Sequence, residues 1–325
     1  MTGASSGIGR AAAVAFARQG ARLVVTARST EALEEVARQC ADEHPEAQAL
    51  AVPGDVTDPD AMVRVAEAAL THYGGMDVWV NAAGVGLIGR LDRLPVDDVR
   101  RLWDVNVLGV LNGTRAALPA LRRRPRGVLI NVSSVLGGAV PAPYMGAYAV
   151  SKAALVMLDD VLREELALSG TGTGSVTVCT VLPAGVDTPF FSHAANHTRR
   201  RVRRLPAVAT PERVARRIVR AAARPRRRVV VGPGARLLPR LYAAAPGLVR
   251  GVISRRIEHG YLDAAGTAPL STGVLHEPSG ATAGIRGGRH AGARTAARRA
   301  VAAACAAAAS TAALKAVAAR RPRPG

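Results

Sequence analysis

Tyr148 and Lys152 stand four residues apart in the stretch Tyr148-Ala-Val-Ser-Lys152. On a helix that spacing puts both side chains on one face. A lysine ammonium beside a phenol favours phenolate and lowers a pKa that starts near ~10. A downward shift of about two units corresponds to roughly 2.7 kcal/mol, and it would make the tyrosine a general acid/base near neutral pH. Taken alone, an uncoupled surface pair has the same spelling. A second group of residues, Thr2-Gly3-Ala4-Ser5-Ser6-Gly7-Ile8-Gly9, stands directly before a helical stretch. Glycines let a backbone approach a pyrophosphate closely, and a helix N-terminus offers free N–H groups and partial positive charge. The spacing is G-x3-G-x-G rather than G-x-G-x-x-G. Alone, it is equally the spelling of a flexible turn.

Both groups need elements to hold them. Residues 10–19 predict a helix that Gly20 ends. Arg22–Thr26 predicts a strand, residues 30–41 a helix with acids near its start, and Leu50–Val52 a second strand. Asp58 as N-cap and Pro59 at the first position open a helix to about Tyr73. Strands follow at Asp77–Val80, Val128–Val132 and Val176–Leu182. Strands alternating with helices of this length predict βαβ units. The expected fold class is α/β, a doubly wound parallel sheet covered on both faces.

The chain has 325 residues, 49% of them hydrophobic and 21% charged, which suits one large globular domain with appendages. Its cysteines (Cys40, Cys179, Cys305) form no CxxC pair. That excludes a disulfide scaffold and a cysteine-rich zinc site, and no metal is expected. No apolar run is long enough to span a bilayer, and the N-terminus does not read as a signal peptide, so cytoplasm is the expected address. Residues 1–198 hold 17 basic and 20 acidic side chains, net −3, whereas residues 199–325 hold 27 and 4, net +23. This charge split predicts a near-neutral catalytic body with a basic appendage. Thr210-Pro211 caps a further helix, residues 229–231 read as a last strand, and residues 236–257 are apolar with interspersed arginine. The expected division is a catalytic domain over 1–232, a helical extension over 233–263, a Gly/Ser/Pro-rich linker over 264–290 and an Ala/Arg-rich tail over 291–325.

In order along the chain come TGASSGIG, Asn81-Ala-Ala-Gly84 after a strand, Asn106 in Asp-Val-Asn-Val, Ser133-Ser134 after the strand VLINV, and Tyr148…Lys152. The chain thereby resembles the short-chain dehydrogenase/reductase family from residue 2 to about 190, and less sharply to about 232. The resemblance implies a Rossmann-type sheet that binds NAD(P)(H) and transfers a hydride to or from a carbonyl carbon. It implies that Tyr148 protonates the carbonyl oxygen or deprotonates the alcohol, and that Lys152 lowers the tyrosine pKa and holds the nicotinamide ribose. Ser134 would hold the substrate oxygen, and Asn106 a water that relays protons towards Lys152. Gly3, Ser5, Ser6, Gly7, Ile8 and Gly9 would surround the pyrophosphate and ribose. Asn81, Ala82 and Gly84 would line the adenosine side, with Asp55 and Val56 against the adenine. Pro183, Gly185, Val186 and Thr188 would touch the nicotinamide. A homodimer or homotetramer is implied as well.

Cofactor choice follows from charge. An acid after the second strand of such a fold binds a ribose 2′-hydroxyl and rejects a 2′-phosphate. Here that place reads Ala27-Arg28-Ser29. A guanidinium pairs with phosphate bidentately, so Arg28 predicts NADP(H) over NAD(H). Three departures from the family pattern stand out. The chain begins where the first, central strand would already have ended, and Met1 is expected to stand at an internal position of that strand. Ser134 lies fourteen positions before Tyr148, one more than the family shows, which leaves Ser133 as a rival. The family's Pro-Gly pair reads Pro183-Ala-Gly185.

His193 and His197 have helical metal-pair spacing but lack a third ligand. Phe190 and Phe191 suggest an apolar substrate wall. The stretch 199–240 holds fifteen arginines against one acid, Glu212. A solvated face is the first reading of this basic region, peripheral contact of residues 199–257 with an anionic membrane surface the second, and phosphate-only nucleic-acid contact the third. With aromatics nearly absent, no specific nucleic acid is expected. The expected activity is NADP(H)-dependent interconversion of a small-molecule carbonyl and secondary alcohol. The alternative is a dinucleotide-binding scaffold without turnover.

Overall fold

Capped helices alternate with short β-branched strands through the first two thirds of the chain, and the caps set the boundaries. The structure, a computed structural model, describes residues 1–138, 140–168, 175–203, 208–278 and 284–288. The expected tail 291–325 and Cys305 lie outside the described residues.

Helix α1 (Gly7–Ala17) begins inside the glycine turn and leads to strand β1 (Arg22–Val25). The Ser29 hydroxyl accepts from the Ala32 N–H at the start of α2 (Thr30–Ala41), which precedes β2 (Gln48–Ala51). Asp58 caps α3 (Pro59–Tyr73), and Gly74 ends it at φ 71°. Such an N-cap contributes about 1 kcal/mol. Then come β3 (Val78–Asn81), β4 (Leu87–Ile88), α4 (Val96–Trp103), a π-helical turn over Asp104–Leu108, α5 (Gly109–Leu121) and β5 (Arg126–Val132). The short α6 (Val135–Gly138) precedes the long α7 (Gly146–Leu168) and β6 (Ser175–Pro183). After α8 (Phe190–His193), β7 (Ala195–Asn196) and β8 (Arg200–Val202), Thr210 caps α9 (Pro211–Ala223), and β9 (Arg228–Val231) follows. The C-terminal segment adds α10 (Leu238–Ala244), α11 (Pro246–Arg256) and β10 (Leu262–Thr267).

Strands β3, β5, β6 and β9 form one parallel sheet in that order, and β1 pairs in parallel with β2. Met1 and Thr2 join the two groups. Thr2 bridges Thr26 on one side and Asn81 on the other, its N–H donating to Val80 O at 2.9 Å. A cavity of about 320 Å³ lies beside β1 and β3, and its lining includes Leu23, Val24, Val78 and Trp79.

Helices cover both faces of the sheet. One core joins α1, α2 and α9 to β1, β5 and β6, with Leu33, Val36, Val214 and Ile218 fully buried. The other gathers Met62, Leu102, Leu121 and Leu129. A buried polar chain crosses the sheet: Asn81 donates to Asn131, Asn131 to Asp159, and Thr180 to the other Asp159 oxygen. Burial pushes the Asp159 carboxyl up to about 6.

The stretch 264–290, expected as a linker, is built into the body where it is described. β10 pairs antiparallel with β8, Asn196 bridges Ser271, and Leu275 is fully buried. Burying one leucine stabilises by about 1.5–3 kcal/mol, which ties the segment down despite its composition.

Candidate active site

The α7 helix carries Tyr148 and Lys152 one turn apart, and both are buried, at 8% and 4% exposure. The Lys152 ammonium lies 5.8 Å from the Tyr148 ring centroid and donates to Val132 O, at the end of β5, at 3.0 Å. Ser134 hydrogen-bonds the phenol, and its hydroxyl also accepts from the Leu136 N–H at 3.2 Å. Ser133 turns away and donates to the Lys152 carbonyl at 2.7 Å, bracing α7 against β5. The fourteen-residue spacing therefore brings Ser134, and not Ser133, to Tyr148.

The electrostatics differ from the expectation drawn from Lys152 alone. Burial pushes the Tyr148 phenol up to about 12, against the pull of the Ser134 hydrogen bond. Burial also pushes Lys152 down to about 8. Desolvation of a buried phenolate is the larger cause, and the Ser134 hydrogen bond offsets part of it. The phenol consequently holds its proton at neutral pH, the form in which a general acid delivers it.

Asn106 sits in the π-helical turn between α4 and α5, fully buried. Its amide donates to Val85 O and Ser151 Oγ, each at 3.0 Å, and its Oδ1 accepts from the Val85 N–H at 2.9 Å. Such single π turns inside helices recur at functional sites. A Cβ on Gly84 would lie 3.3 Å from both Asn106 Oδ1 and Lys152 Nζ, so these two side chains converge on that glycine.

The glycine turn lines a cleft of its own. Gly3 has φ 66°, and a Cβ there would lie 2.6 Å from the Ala83 backbone. A Cβ on Gly9 would lie 2.0 Å from Gly3 O. Only glycine lets the turn fold over the start of α1 this tightly. Ser5, Ser6, Gly7, Ile8, Arg28, Asp55, Val56, Ala82 and Gly84 share this lining of about 200 Å³. Asp55 accepts from Arg101 at 2.7 Å. Arg28 reaches the cleft, but its guanidinium donates to Val274 O at 2.6 Å and His276 O at 3.0 Å. Asn81 does not line the cleft. It lies beneath, accepting from the Trp79 indole at 2.7 Å and donating to Asn131. Its neighbours Ala82 and Ala83 are held by the Thr2 hydroxyl, which accepts both their N–H groups. The sealed glycine turn, the small residues facing it and the cationic Arg28 fit a dinucleotide.

On the other side of Tyr148 lies an apolar pocket of about 310 Å³. Pro183, Gly185, Val186 and Thr188 line its base, and Ile8 and Gly84 are shared with the cleft. Phe190 stacks obliquely on Tyr148 with centroids 5.2 Å apart, and Phe191 meets Tyr261 edge-on at 5.6 Å. Both thus form the apolar wall expected of them. Leu238, Ile253 and Ile257 close the roof from the C-terminal segment. His193 and His197 are not one helical pair, because α8 ends at His193 and His197 Nε2 meets Asp98 at 2.7 Å. Among the described residues no group of three or more His, Cys, Asp or Glu side chains is placed to hold a metal ion.

Several of these residues carried no signal in the sequence. A clasp holds the roof: Arg200 pairs with the Glu258 carboxylate at 2.6 Å and donates to the carbonyls of Glu258, Leu262 and Asp263. Tyr144, at φ 63°, donates to the other Glu258 oxygen at 2.5 Å. Its strained backbone, one residue before the pocket-lining Met145, was the detectable anomaly only once coordinates existed.

A doubly wound sheet with a glycine-rich turn at its carboxyl edge, a buried Ser–Tyr–Lys cluster beside it and an apolar pocket beyond defines a dinucleotide-binding oxidoreductase fold. The chain belongs to the short chain dehydrogenase family, which it matches over residues 1–199. It is 34% identical over 263 residues to the uncharacterized oxidoreductase YxnA of Bacillus subtilis, covering 80% of this chain and 72% of that one. It is 35% identical over 223 residues to 3beta-hydroxysteroid dehydrogenase 1 of Eggerthella lenta, covering 66% and 82%. Among solved structures it resembles an alcohol dehydrogenase from the archaeon Thermococcus sibiricus complexed with 5-hydroxy-NADP. The TM-score is 0.61 with 26% identity, over 71% of this chain and 94% of that one.

Proposed function

We propose that this oxidoreductase uses NADP(H) to interconvert a carbonyl and a secondary alcohol, with Tyr148 as general acid/base. The observation that carries this reading is that Tyr148, Ser134 and Lys152 line an apolar pocket that shares Ile8, Gly84 and Thr188 with the glycine-turn cleft, Lys152 reaching that shared border at Gly84. When bound, the nicotinamide would give or take the hydride. The glycine turn and Thr188 would hold the dinucleotide, and Arg28 a 2′-phosphate. Ser134 would orient the substrate oxygen towards the phenol. Tyr148 would pass its proton to that oxygen in reduction and recover one in oxidation. Lys152, cationic below about pH 8, would stabilise the phenolate left behind. Phe190 and the pocket walls exclude water from this exchange. The solved relative was determined with an NADP derivative, which supports the same cofactor here. A panel of ketones and secondary alcohols assayed with NADPH or NADP, wild type against Tyr148→Phe, tests the reading; turnover that survives the substitution would refute it.

The apolar lining favours hydrophobic carbonyls, consistent with resemblance to a steroid dehydrogenase. A homodimer or homotetramer is proposed from the half-exposed Trp103, Leu108, Val150, Met157 and Val161 on packed neighbouring elements, to be measured by light scattering. The proposed location is the cytoplasm, whose reducing conditions suit the free, buried thiols Cys40 and Cys179. No described helix is long and apolar enough to cross a membrane. Yet Leu237, Leu241, Leu248 and Val252 project from α10 and α11 and the turn before them, and residues 236–256 carry five arginines and no acid. This combination favours peripheral contact with an anionic bilayer over a merely solvated face. Salt-sensitive co-sedimentation with phosphatidylglycerol vesicles, absent with phosphatidylcholine, is the expected result.

A further inference from the structure

The segment after β10 returns across the molecule to the cleft. Ser271 and Asn196 exchange backbone hydrogen bonds at 2.7 and 3.2 Å, and the Val274 N–H donates to His193 O at 2.9 Å. Gly273, at φ 54°, allows the approach, since a Cβ there would lie 2.1 Å from that carbonyl oxygen. Leu275 is fully buried, and the Arg101 Nε donates to its carbonyl at 3.2 Å. His276 meets Asp98 at 2.9 Å on the carboxylate oxygen that His197 leaves open. These contacts lay Val274 and Pro278 along the cleft wall.

The segment also takes two positions a dinucleotide would need. The carbonyls of Val274 and His276 engage Arg28, and Gly284 O accepts the Gly7 N–H of the glycine turn at 3.1 Å. The remaining cavity is about 200 Å³, below the roughly 300–1,000 Å³ of ordinary ligand pockets.

We propose that residues 271–278 are a gate on the adenosine end of the cleft, whose Val274 and His276 carbonyls occupy Arg28 until a 2′-phosphate displaces them. The inference rests on the NADP(H) reading and adds a means of discrimination to it. A phosphate dianion outbids two neutral carbonyls for a guanidinium, because both partners of the new pair are charged and its bonds are bidentate. A ribose hydroxyl has no such advantage, so NADH meets a gate it does not open. The apparent affinity for NADPH is reduced by the fraction of molecules with the gate released.

Adenosine 2′,5′-bisphosphate probes the gate without any redox chemistry. Added to the full chain, it is expected to raise hydrogen exchange of the 273–277 amides. Leu275→Ala, which removes the anchor, and the milder His276→Ala, which frees one side of the Asp98 contact, are expected to tighten its binding by roughly three- to tenfold, as the released fraction grows. Binding that leaves strap exchange unchanged or slowed, and that neither substitution tightens, overturns the gate while sparing the cofactor reading. Failure of wild type and both variants to bind either this ligand or NADPH overturns the cofactor reading and the gate with it.

Discussion

The body up to β9 and the segment beyond it contribute to the site by different means. The body supplies reacting groups through short, local geometry: a turn only glycine can make, a π turn that presents Asn106, and one helical turn between Tyr148 and Lys152. The C-terminal segment supplies walls, through contacts that span up to 248 residues of chain. On the proposed function, backbone shape sets the chemistry and what is laid over it sets the selectivity.

That contrast can be broken or sharpened by substitution. Tyr148→Phe removes the proposed proton donor and is expected to lower kcat by about 10²–10⁴-fold for every carbonyl tested, with NADPH binding, read by fluorescence titration, unchanged. A substrate-dependent loss would instead place the residue among the walls. Next comes pH. Lys152 is lowered by burial, so its charge is present below about 8 and lost above it. The kcat/KM for carbonyl reduction should fall by about tenfold per pH unit above that point, and a profile flat to pH 10 would remove Lys152 from the reaction. Arg28→Ala, at the border of the two regions, deletes a charged partner of the 2′-phosphate. It should raise the Kd for NADPH about 10–100-fold and leave NADH nearly unaffected. Smallest, Ile253→Ala in the roof should raise KM for long apolar ketones several-fold, at about 0.8 kcal/mol per lost methylene contact. Acetone-sized substrates should not respond.

Much of the body was readable beforehand because its signals are local. Asp58-Pro59 and Thr210-Pro211 mark the starts of α3 and α9 by cap chemistry, and α2 runs over the very residues its pattern predicts. The motifs marked positions on the chain but not orientations. Asn81 stands in a cofactor-lining motif, yet its side chain faces the buried amide chain under the sheet. The two serines after β5 differ by one residue and take different partners, the Lys152 carbonyl for Ser133 and the Tyr148 phenol for Ser134, which their spelling does not distinguish. Lys152 suggested an acidified phenol, whereas the depth of the site, invisible in composition, raises it. The 271–278 strap was hidden for a related reason. Its glycine, serine and proline content reads as linker, and its anchors are single residues, Leu275 and His276, without periodicity.

Arg200 and Glu258 bind the turn after α11 to Tyr144, which ties the pocket borders at Ile257 and Met145 together. The aperture therefore has a single width rather than two independently adjustable sides. Ligands of differing bulk would be sorted by whether that one jaw admits them, and relaxing it at Arg200 would broaden the repertoire all at once.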